Sequence, residues 1–228
     1  MREIVLDTET TGLDPETGDR IVEIGAVELH NHVATGRTYH QYINPQRDMP
    51  QEAFNVHGLS IDFLSDKPKF AEIGQAFLDF VQDAKLVIHN AAFDMKFLNA
   101  ELRWMNLPTL PWEQAIDTLD IARKKFPGSH NSLDGLCRRF DIDNSSRTLH
   151  GALLDSEILA EVYLELIGGR QPDFGLAAVD TVSVDASGAA WRPTPRTKAL
   201  PNRITKEEEE AHRKFVETLG DTPVWTRA

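Results

Sequence analysis

Two short, uninterrupted apolar runs constrain the fold of this chain most strongly. Residues 4–6 are Ile-Val-Leu and lead directly into Asp7, and residues 86–88 are Leu-Val-Ile and are followed six residues later by Asp94. Short apolar runs without polar alternation are typical of strands buried inside a sheet. Apolar residues at helical spacing then follow over residues 71–81 and 93–105. The pattern therefore predicts an α/β unit.

The rest of the first 169 residues continues this pattern. Residues 20–30 and 36–44 predict two hairpin strands joined by a polar turn. Asn131 or Ser132 is expected to cap a helix, and residues 152–167 predict a long helix that ends at Gly168 and Gly169. A chain with 41% hydrophobic residues has enough apolar material for one core of this size.

After Gly169 the composition changes. Residues 170–202 contain four prolines and many small polar residues without any period, which is typical of a flexible linker. Residues 203–228 regain helical potential, with Thr205 as the expected cap and four consecutive glutamates in the first turns. The sequence thus predicts three parts: a folded domain over residues 1–169, a linker over 170–202, and a short helical segment over 203–228 that docks on another surface.

Charge and composition exclude several classes of protein. The chain has 24 basic and 36 acidic residues, a net charge of −12, so binding of nucleic acid by a broad basic surface is excluded. Acidic side chains that bind divalent cations remain compatible with a phosphodiester substrate. The lone Cys137 excludes a disulfide framework, and no apolar run has the length of a signal peptide or a membrane span. We expect a soluble cytoplasmic protein with no membrane contact.

Four acidic residues stand where an α/β fold would bring them together. Asp7 and Glu9 end the first predicted strand, Asp94 begins the helix after the second, and Asp155 lies in the last helix. Residues two apart on a strand share a face, so Asp7 and Glu9 can bind one cation. Because four carboxylates without counter-ions would repel one another, the pattern predicts a site for divalent Mg²⁺ or Mn²⁺, which prefer oxygen ligands.

A histidine stands close to this acidic set. His150 precedes Asp155 by five residues, just ahead of the last helix. A histidine pKa of about 6.5 is suited to a general base near neutral pH. Two cations and a histidine together indicate hydrolysis of a phosphodiester. Each of these features alone often occurs by chance. The three segments agree in order, in flanking apolar strands and in residue type, and such agreement is rarely accidental.

The segments LDTETTG, VIHNAAFD and HGALLD resemble the three motifs of the DEDD-type 3′–5′ exonucleases, in the subgroup with a histidine in the third motif. Within that subgroup the sequence is most similar to the epsilon, or proofreading, subunits of bacterial DNA polymerase III, over residues 4 to about 169. The resemblance implies a ribonuclease H-like mixed sheet flanked by helices. It also implies that two divalent cations are bound by four ligands and that His150 is the general base; the ligands are Asp7, Glu9, Asp94 and Asp155.

The same resemblance implies contacts with the substrate, a DNA 3′ end that is single-stranded or frayed. Glu52 and His57 match positions that contact the terminal nucleotide, and the metal ligands Asp7, Glu9 and Asp155 share in binding it. For Thr8, Thr10 and Thr11, hydrogen bonds to that nucleotide and a purely structural turn before Gly12 are both open.

The tail suggests partners. Gln171, Phe174 and Leu176 resemble a weak binding peptide for the sliding clamp (beta), although plain linker is an equal alternative. Residues 203–228 resemble the part of epsilon subunits that binds the polymerase (alpha) subunit, with Trp225 as an interface anchor. A small accessory subunit is a further partner that the sequence neither indicates nor excludes.

Three functions compete at this point. The first is a proofreading 3′–5′ exonuclease of the bacterial replisome. The second is a stand-alone RNA-trimming exonuclease, which the linker and the extra helix disfavour. The third is a catalytically inactive scaffold, which the presence of all five active-site residues opposes.

Overall fold

The computed structural model describes residues 1–145, 147, 149–168 and 204–218. By its internal contacts the chain divides into two units, Met1–Phe174 and Gly175–Ala228. The predicted linker and the clamp-binding residues Gln171, Phe174 and Leu176 lie outside the described residues, as does Trp225.

The first unit is built on a mixed five-stranded sheet with the order β3-β2-β1-β4-β5. The central strand β1 is antiparallel to β2 and parallel to β4, and β4 is parallel to β5. The strands are β1 (Arg2–Thr10), β2 (Ile21–His30), β3 (Val33–Tyr42), β4 (Lys85–Ile88) and β5 (Ala115–Asp117). The mixed sheet agrees with the predicted fold class.

Helices cover both faces of this sheet. In chain order they are α1 (Gln51–His57), α2 (Ile61–Leu64), α3 (Phe70–Val81), α4 (Ala91–Trp104), α5 (Thr118–Lys125), α6 (Leu133–Phe140) and α7 (Ala152–Ile167). Two single turns of 3-10 helix, Pro15–Thr17 and Trp112–Gln114, complete the unit.

The alternation of side chains along β1 explains the two layers. Ile4 and Leu6 point into a core with Phe77 of α3 and Phe97 of α4. Val5 points to the opposite face, into a second core with the helices α6 and α7. Because the first half of β1 is covered on both sides, residues 4–6 are all apolar, which agrees with the buried strand predicted from the sequence.

Several boundaries differ from the expected ones. Strand β3 begins at Val33, three residues early, because Asn31 and His32 form a tight left-handed turn with φ of 50° and 66°. Helix α4 begins at Ala91, two residues early. Helices α1, α2 and α5 and strand β5 were not expected, since each is short and carries few apolar residues. Helix α7 spans residues 152–167 as predicted, and Ser132 caps α6.

The second unit contains one described helix, α8 (Lys206–Glu217). Thr205 caps it as predicted: its hydroxyl accepts from the Glu208 backbone amide, and the Glu208 carboxylate accepts from the Thr205 amide. None of the helices within the described residues is long and apolar enough to cross a bilayer.

Candidate active site

The sheet and two helix starts bring the four acidic residues to one region. Asp7 and Glu9 lie on the last half of β1, while Asp94 and Asp155 lie in the first turns of α4 and α7. Glu9, Asp94 and Asp155 are only 7%, 3% and 2% exposed. Asp7 is partly exposed, so side chains far apart in sequence form one acidic group in which three members are buried.

Local structure fixes the position of Asp94. Asn90 adopts φ 68°, which turns the chain from β4 sharply into α4. The hydroxyl of Thr8 on β1 then donates to Asp94 Oδ1 at 2.7 Å. This hydrogen bond ties the start of α4 to the strand that carries Asp7 and Glu9.

Gly25 on β2 fixes the position of Asp155. Gly25 pairs with Asp7 across the sheet, and a Cβ atom there would lie 2.1 Å from the backbone of Ala152 and Leu153. The Ser156 hydroxyl also donates to the Gly25 carbonyl at 2.9 Å. Only glycine lets the first turn of α7 approach the sheet this closely, and Asp155 is thereby carried to β1.

Burial and mutual repulsion dominate the electrostatics of three of the four carboxylates. Burial, followed by the charges of Asp155, Glu23 and Asp94, raises the pKa of Glu9 to about 8. Burial raises the pKa of Asp94 to about 7 despite the hydrogen bond from Thr8. Burial and the charges of the neighbouring carboxylates also raise the pKa of Asp7. Asp155 differs: burial acts to raise its pKa, but hydrogen bonds from His150 and Arg147 lower it.

The donor set fits hard divalent cations. Glu9 Oε1 is buried and has no hydrogen-bond partner among the described residues. Potential ligand atoms of Glu9, His150 and Asp155 all lie within 4.8 Å of one another. A buried oxygen without a donor, surrounded by further carboxylates, is what a cation with oxygen ligands requires.

Arg147 contacts the acidic group, although the sequence did not indicate it as a site residue. Its guanidinium donates to Asp155 Oδ2 at 2.7 Å and to Asp134 Oδ1 at 2.7 Å, and its side chain is only 8% exposed. It also binds Asp155 Oδ1, so the pair is bidentate. The side chain supplies the positive charge nearest to the four carboxylates. An arginine in a polar loop gives no sequence signal for such burial.

His150 lies in the same network, at its exposed edge. Its Nδ1 is 2.7 Å from Arg147 Nη2 and 3.3 Å from Asp155 Oδ2. Because arginine can only donate, Nδ1 serves one neighbour at a time: it accepts from Arg147 or donates to Asp155. The backbone amide of His150 donates to the Val56 carbonyl at 3.1 Å, which joins this loop to α1.

One cleft opens beside Glu9, and we call it the threonine cleft. It has a volume of about 480 Å³, and the substrate-contact residues expected from the sequence line it: Thr8, Thr10, Thr11, Glu52 and His57. His57 Nδ1 accepts from the Leu59 amide, so Nε2 carries the proton, and Nε2 has no partner among the described residues. Phe93 also lines this cleft, whereas Phe97 is fully buried in the core.

A second cleft, of about 680 Å³, opens beside Asp7 and Asp155, and we call it the arginine cleft. Its further walls come from the end of α5, the loop after α5 and the start of α6. Its polar and charged lining includes His89, Arg123, His130, Asn131, Asp134, Arg147 and His150. Cys137 is buried in the core beside α7 and takes no part in either cleft, as expected from the sequence.

Comparison with known proteins identifies the family of this chain. Residues 4–163 match the family described as Exonuclease (RNase_T). The chain is 52% identical to the DNA polymerase III subunit epsilon of Escherichia coli over 98% of this chain and 97% of that protein. It is 51% identical to the protein of the same name from Rickettsia felis, over 97% of this chain and 98% of that protein.

Solved structures show the same fold. Exonuclease X in complex with 5′ overhanging duplex DNA is 25% identical, with a TM-score of 0.57 over 72% of this chain and 90% of that one. The nuclease domain of 3′hExo, a DEDDh family member bound to rAMP, is 21% identical, with a TM-score of 0.63 over 73% of this chain and 91% of that one. The predicted ribonuclease H-like fold is thus confirmed, and the chain belongs to the exonuclease family, among the epsilon subunits of DNA polymerase III.

Proposed function

We propose that this chain is the 3′–5′ proofreading exonuclease of the replicative DNA polymerase III, which hydrolyses mispaired 3′-terminal nucleotides. The convergence of four carboxylates, three of them buried, with His150 carries the proposal, because it provides a complete hydrolytic site. Family membership supports the same activity. A scaffold without catalysis would have no use for four acidic groups placed so close together that their mutual repulsion destabilises the fold.

Asp7, Glu9, Asp94 and Asp155 would hold two divalent cations, Mg²⁺ or Mn²⁺. When bound, such cations lower the pKa of the attacking water and stabilise negative charge on the phosphate and the leaving 3′ oxygen. The raised pKa values of Glu9 and Asp94 are consistent with this role, since burial disfavours their ionised forms and a bound cation would offset that cost.

His150 would act as the general base. With Nδ1–H directed at Asp155 Oδ2, the lone pair on Nε2 is free to take the proton of the attacking water. When Arg147 donates to Nδ1, the ring proton of the neutral histidine lies on Nε2, and Nε2 then cannot take the proton of the water. Arg147 must therefore release His150 before His150 can act.

Glu52, His57 and the threonines would bind the terminal nucleotide in the threonine cleft. The unpartnered His57 Nε2–H provides a donor there, and Phe93 provides an apolar surface for sugar or base. A terminal nucleotide must leave its pairing partner to enter this cleft. A mismatched end loses less pairing free energy on entry, which gives selectivity for errors.

The alpha and beta partners would bind through the tail, in the bacterial cytoplasm. Residues 203–228 would bind the polymerase (alpha) subunit, and the peptide at Gln171, Phe174 and Leu176 would bind the sliding clamp (beta). Deletion of residues 170–228 should abolish co-purification with the alpha subunit and preserve hydrolysis. Retained co-purification would place the interface elsewhere.

The activity is tested with 5′-labelled single-stranded DNA. Purified protein with Mg²⁺ or Mn²⁺ should shorten it from the 3′ end, one nucleotide at a time, and a chelator should stop the reaction. A duplex with a 3′ mismatch should be shortened faster than a matched one, and DNA faster than RNA of the same sequence. Absence of metal-dependent shortening would leave the scaffold hypothesis standing, while a preference for RNA would favour the trimming hypothesis.

A further inference from the structure

Cationic side chains are concentrated on one side of the four carboxylates. Arg123 and Arg147 line the arginine cleft, together with histidines. None of the described residues that line the threonine cleft is a lysine or an arginine. The clefts meet at the metal ligands, because Asp7 and Asp155 line the first and Glu9 lines the second.

The segment that forms much of the arginine cleft also has an excess of positive charge. Residues 121–139, which form the end of α5, the loop after it and α6, contain five basic residues and one acidic residue, in a chain with a net charge of −12. The acidic residue, Asp134, is paired with Arg147 at 2.7 Å. This segment therefore retains uncompensated positive charge beside an otherwise acidic site.

Arg123 is the side chain of this segment that is free to bind a ligand in the cleft. It is exposed at the end of α5, and within the described residues no hydrogen bond or ion pair engages its guanidinium. Its neighbour Lys124 is instead paired with Asp120 at 2.6 Å. Asn131, 8% exposed, adds an amide oxygen in the same cleft that has no donor among the described residues.

We propose that the arginine cleft holds the DNA strand on the 5′ side of the scissile bond, and that Arg123 binds the phosphate of the preceding internucleotide linkage. This proposal rests on the proposed exonuclease function. The terminal nucleoside carries no charge of its own, so a cleft without cationic residues is suited to it. Every further phosphate lies upstream, and a single strand is bound where cationic groups follow its backbone.

The path gives the strand a direction across the site. The 3′-terminal nucleoside lies in the threonine cleft, the scissile phosphate lies at the carboxylates, and the upstream strand leaves past α5 and the start of α6. The upstream base then lies in the arginine cleft. There the Asn131 side-chain oxygen can accept a hydrogen bond from a donor on that base. Arg123 acts by binding substrate and takes no part in the proton transfers.

The variant R123Q tests this path, with K124Q as a control that removes the same charge from the next residue. Two substrates are compared: a single-stranded DNA oligonucleotide, and the p-nitrophenyl ester of thymidine 5′-phosphate, which has no upstream phosphate. For R123Q, the ratio of the oligonucleotide KM to the ester KM should rise roughly tenfold, as expected for loss of one charge-assisted contact. The slope of log KM against log salt should become shallower by about 0.7. K124Q should leave both quantities unchanged.

A modified oligonucleotide locates the contact. A neutral methylphosphonate at the linkage preceding the scissile one should weaken binding by the wild-type protein and have much less effect on R123Q. Equal sensitivity of the two proteins, or an unchanged KM ratio for R123Q, would overturn the proposed path. Failure of the wild-type protein to hydrolyse either substrate with Mg²⁺ or Mn²⁺ would instead overturn the exonuclease function itself.

Discussion

At the scale of single residues, Arg147 occupies the place of a counter-ion for Asp155. The guanidinium binds both carboxylate oxygens and also contacts His150. A buried ion pair that loses one partner leaves an uncompensated charge. Divalent cations at the same carboxylate would supply that charge instead, so the importance of Arg147 for stability should depend on metal.

We predict that Arg147→Met lowers the free energy of unfolding by about 3 kcal/mol without metal. With saturating Mn²⁺ the loss should be clearly smaller, because bound cations neutralise Asp155. Urea unfolding under both conditions measures the difference, and Arg138→Met, at the end of α6, is the matched control. An equal loss with and without Mn²⁺ would show that Arg147 acts only as a packing residue.

Asp7 offers a test in which activity and stability should change separately. Asp7→Asn removes a metal ligand worth several kcal/mol of transition-state stabilisation, so kcat should fall on the order of a thousandfold. The metal-free protein should be no less stable than wild type, since burial and three like charges already disfavour the Asp7 carboxylate. Thermal unfolding and single-strand hydrolysis measure the two effects, with Asp79→Asn on α3 as control. Activity near that of wild type would remove Asp7 from the site.

The acidic residues could be predicted from the sequence and Arg147 could not, for a physical reason. Asp7 and Asp94 follow apolar strands, and that context restricts where their side chains can lie. Arg147 lies in a polar loop, where most arginines are solvated, and only the positions of Asp134 and Asp155 make it buried. The role of Gly25 is also hidden, because its constraint comes from a helix that begins 127 residues later in the chain.

At the scale of elements, the contact between β2 and α7 determines whether the site forms. We predict that Gly25→Ala costs about 2–3 kcal/mol of stability and most of the activity, since the added methyl group displaces the turn that carries Asp155. Gly36→Ala in β3 is the control: its φ of 82° adds backbone strain, but no atom lies within 4 Å of the new methyl group. It should cost about 1 kcal/mol and leave hydrolysis intact. Comparable loss of activity in both variants would contradict the specific role of Gly25.

Long elements with strong apolar spacing could be predicted from the sequence more closely than short ones. Helix α7 and strand β1 were predicted closely because their apolar spacing is strong. Strand β5 has three residues and helix α5 has the sequence TLDIARKK, so neither gives a clear period. Helix α5 nevertheless contributes Leu119 and Arg123 to the lining of the arginine cleft, and no apolar period in the sequence indicates this.

At the scale of the whole molecule, stability and metal binding should both depend on pH. The folded protein holds protons on Glu9 and Asp94 more tightly than the unfolded chain does, since their pKa values are raised to about 8 and about 7. Stability of the metal-free protein should therefore fall as pH rises from about 4.5 to about 8. Cations displace these protons, so the increase in Tm caused by Mn²⁺ should be larger at pH 8 than at pH 6. An increase in Tm that is independent of pH would contradict the assignment of these carboxylates as ligands.

The central claim is that Asp7, Glu9, Asp94 and Asp155 together bind the cations that hydrolyse a DNA 3′ end. A crystal structure of the full chain with Mn²⁺ and thymidine 5′-monophosphate, with anomalous difference maps, tests it most directly. We predict two manganese peaks about 3.5–4 Å apart among these carboxylates, with the nucleoside in the threonine cleft. Maps with no manganese at these residues, or with the nucleotide bound elsewhere, would contradict the account.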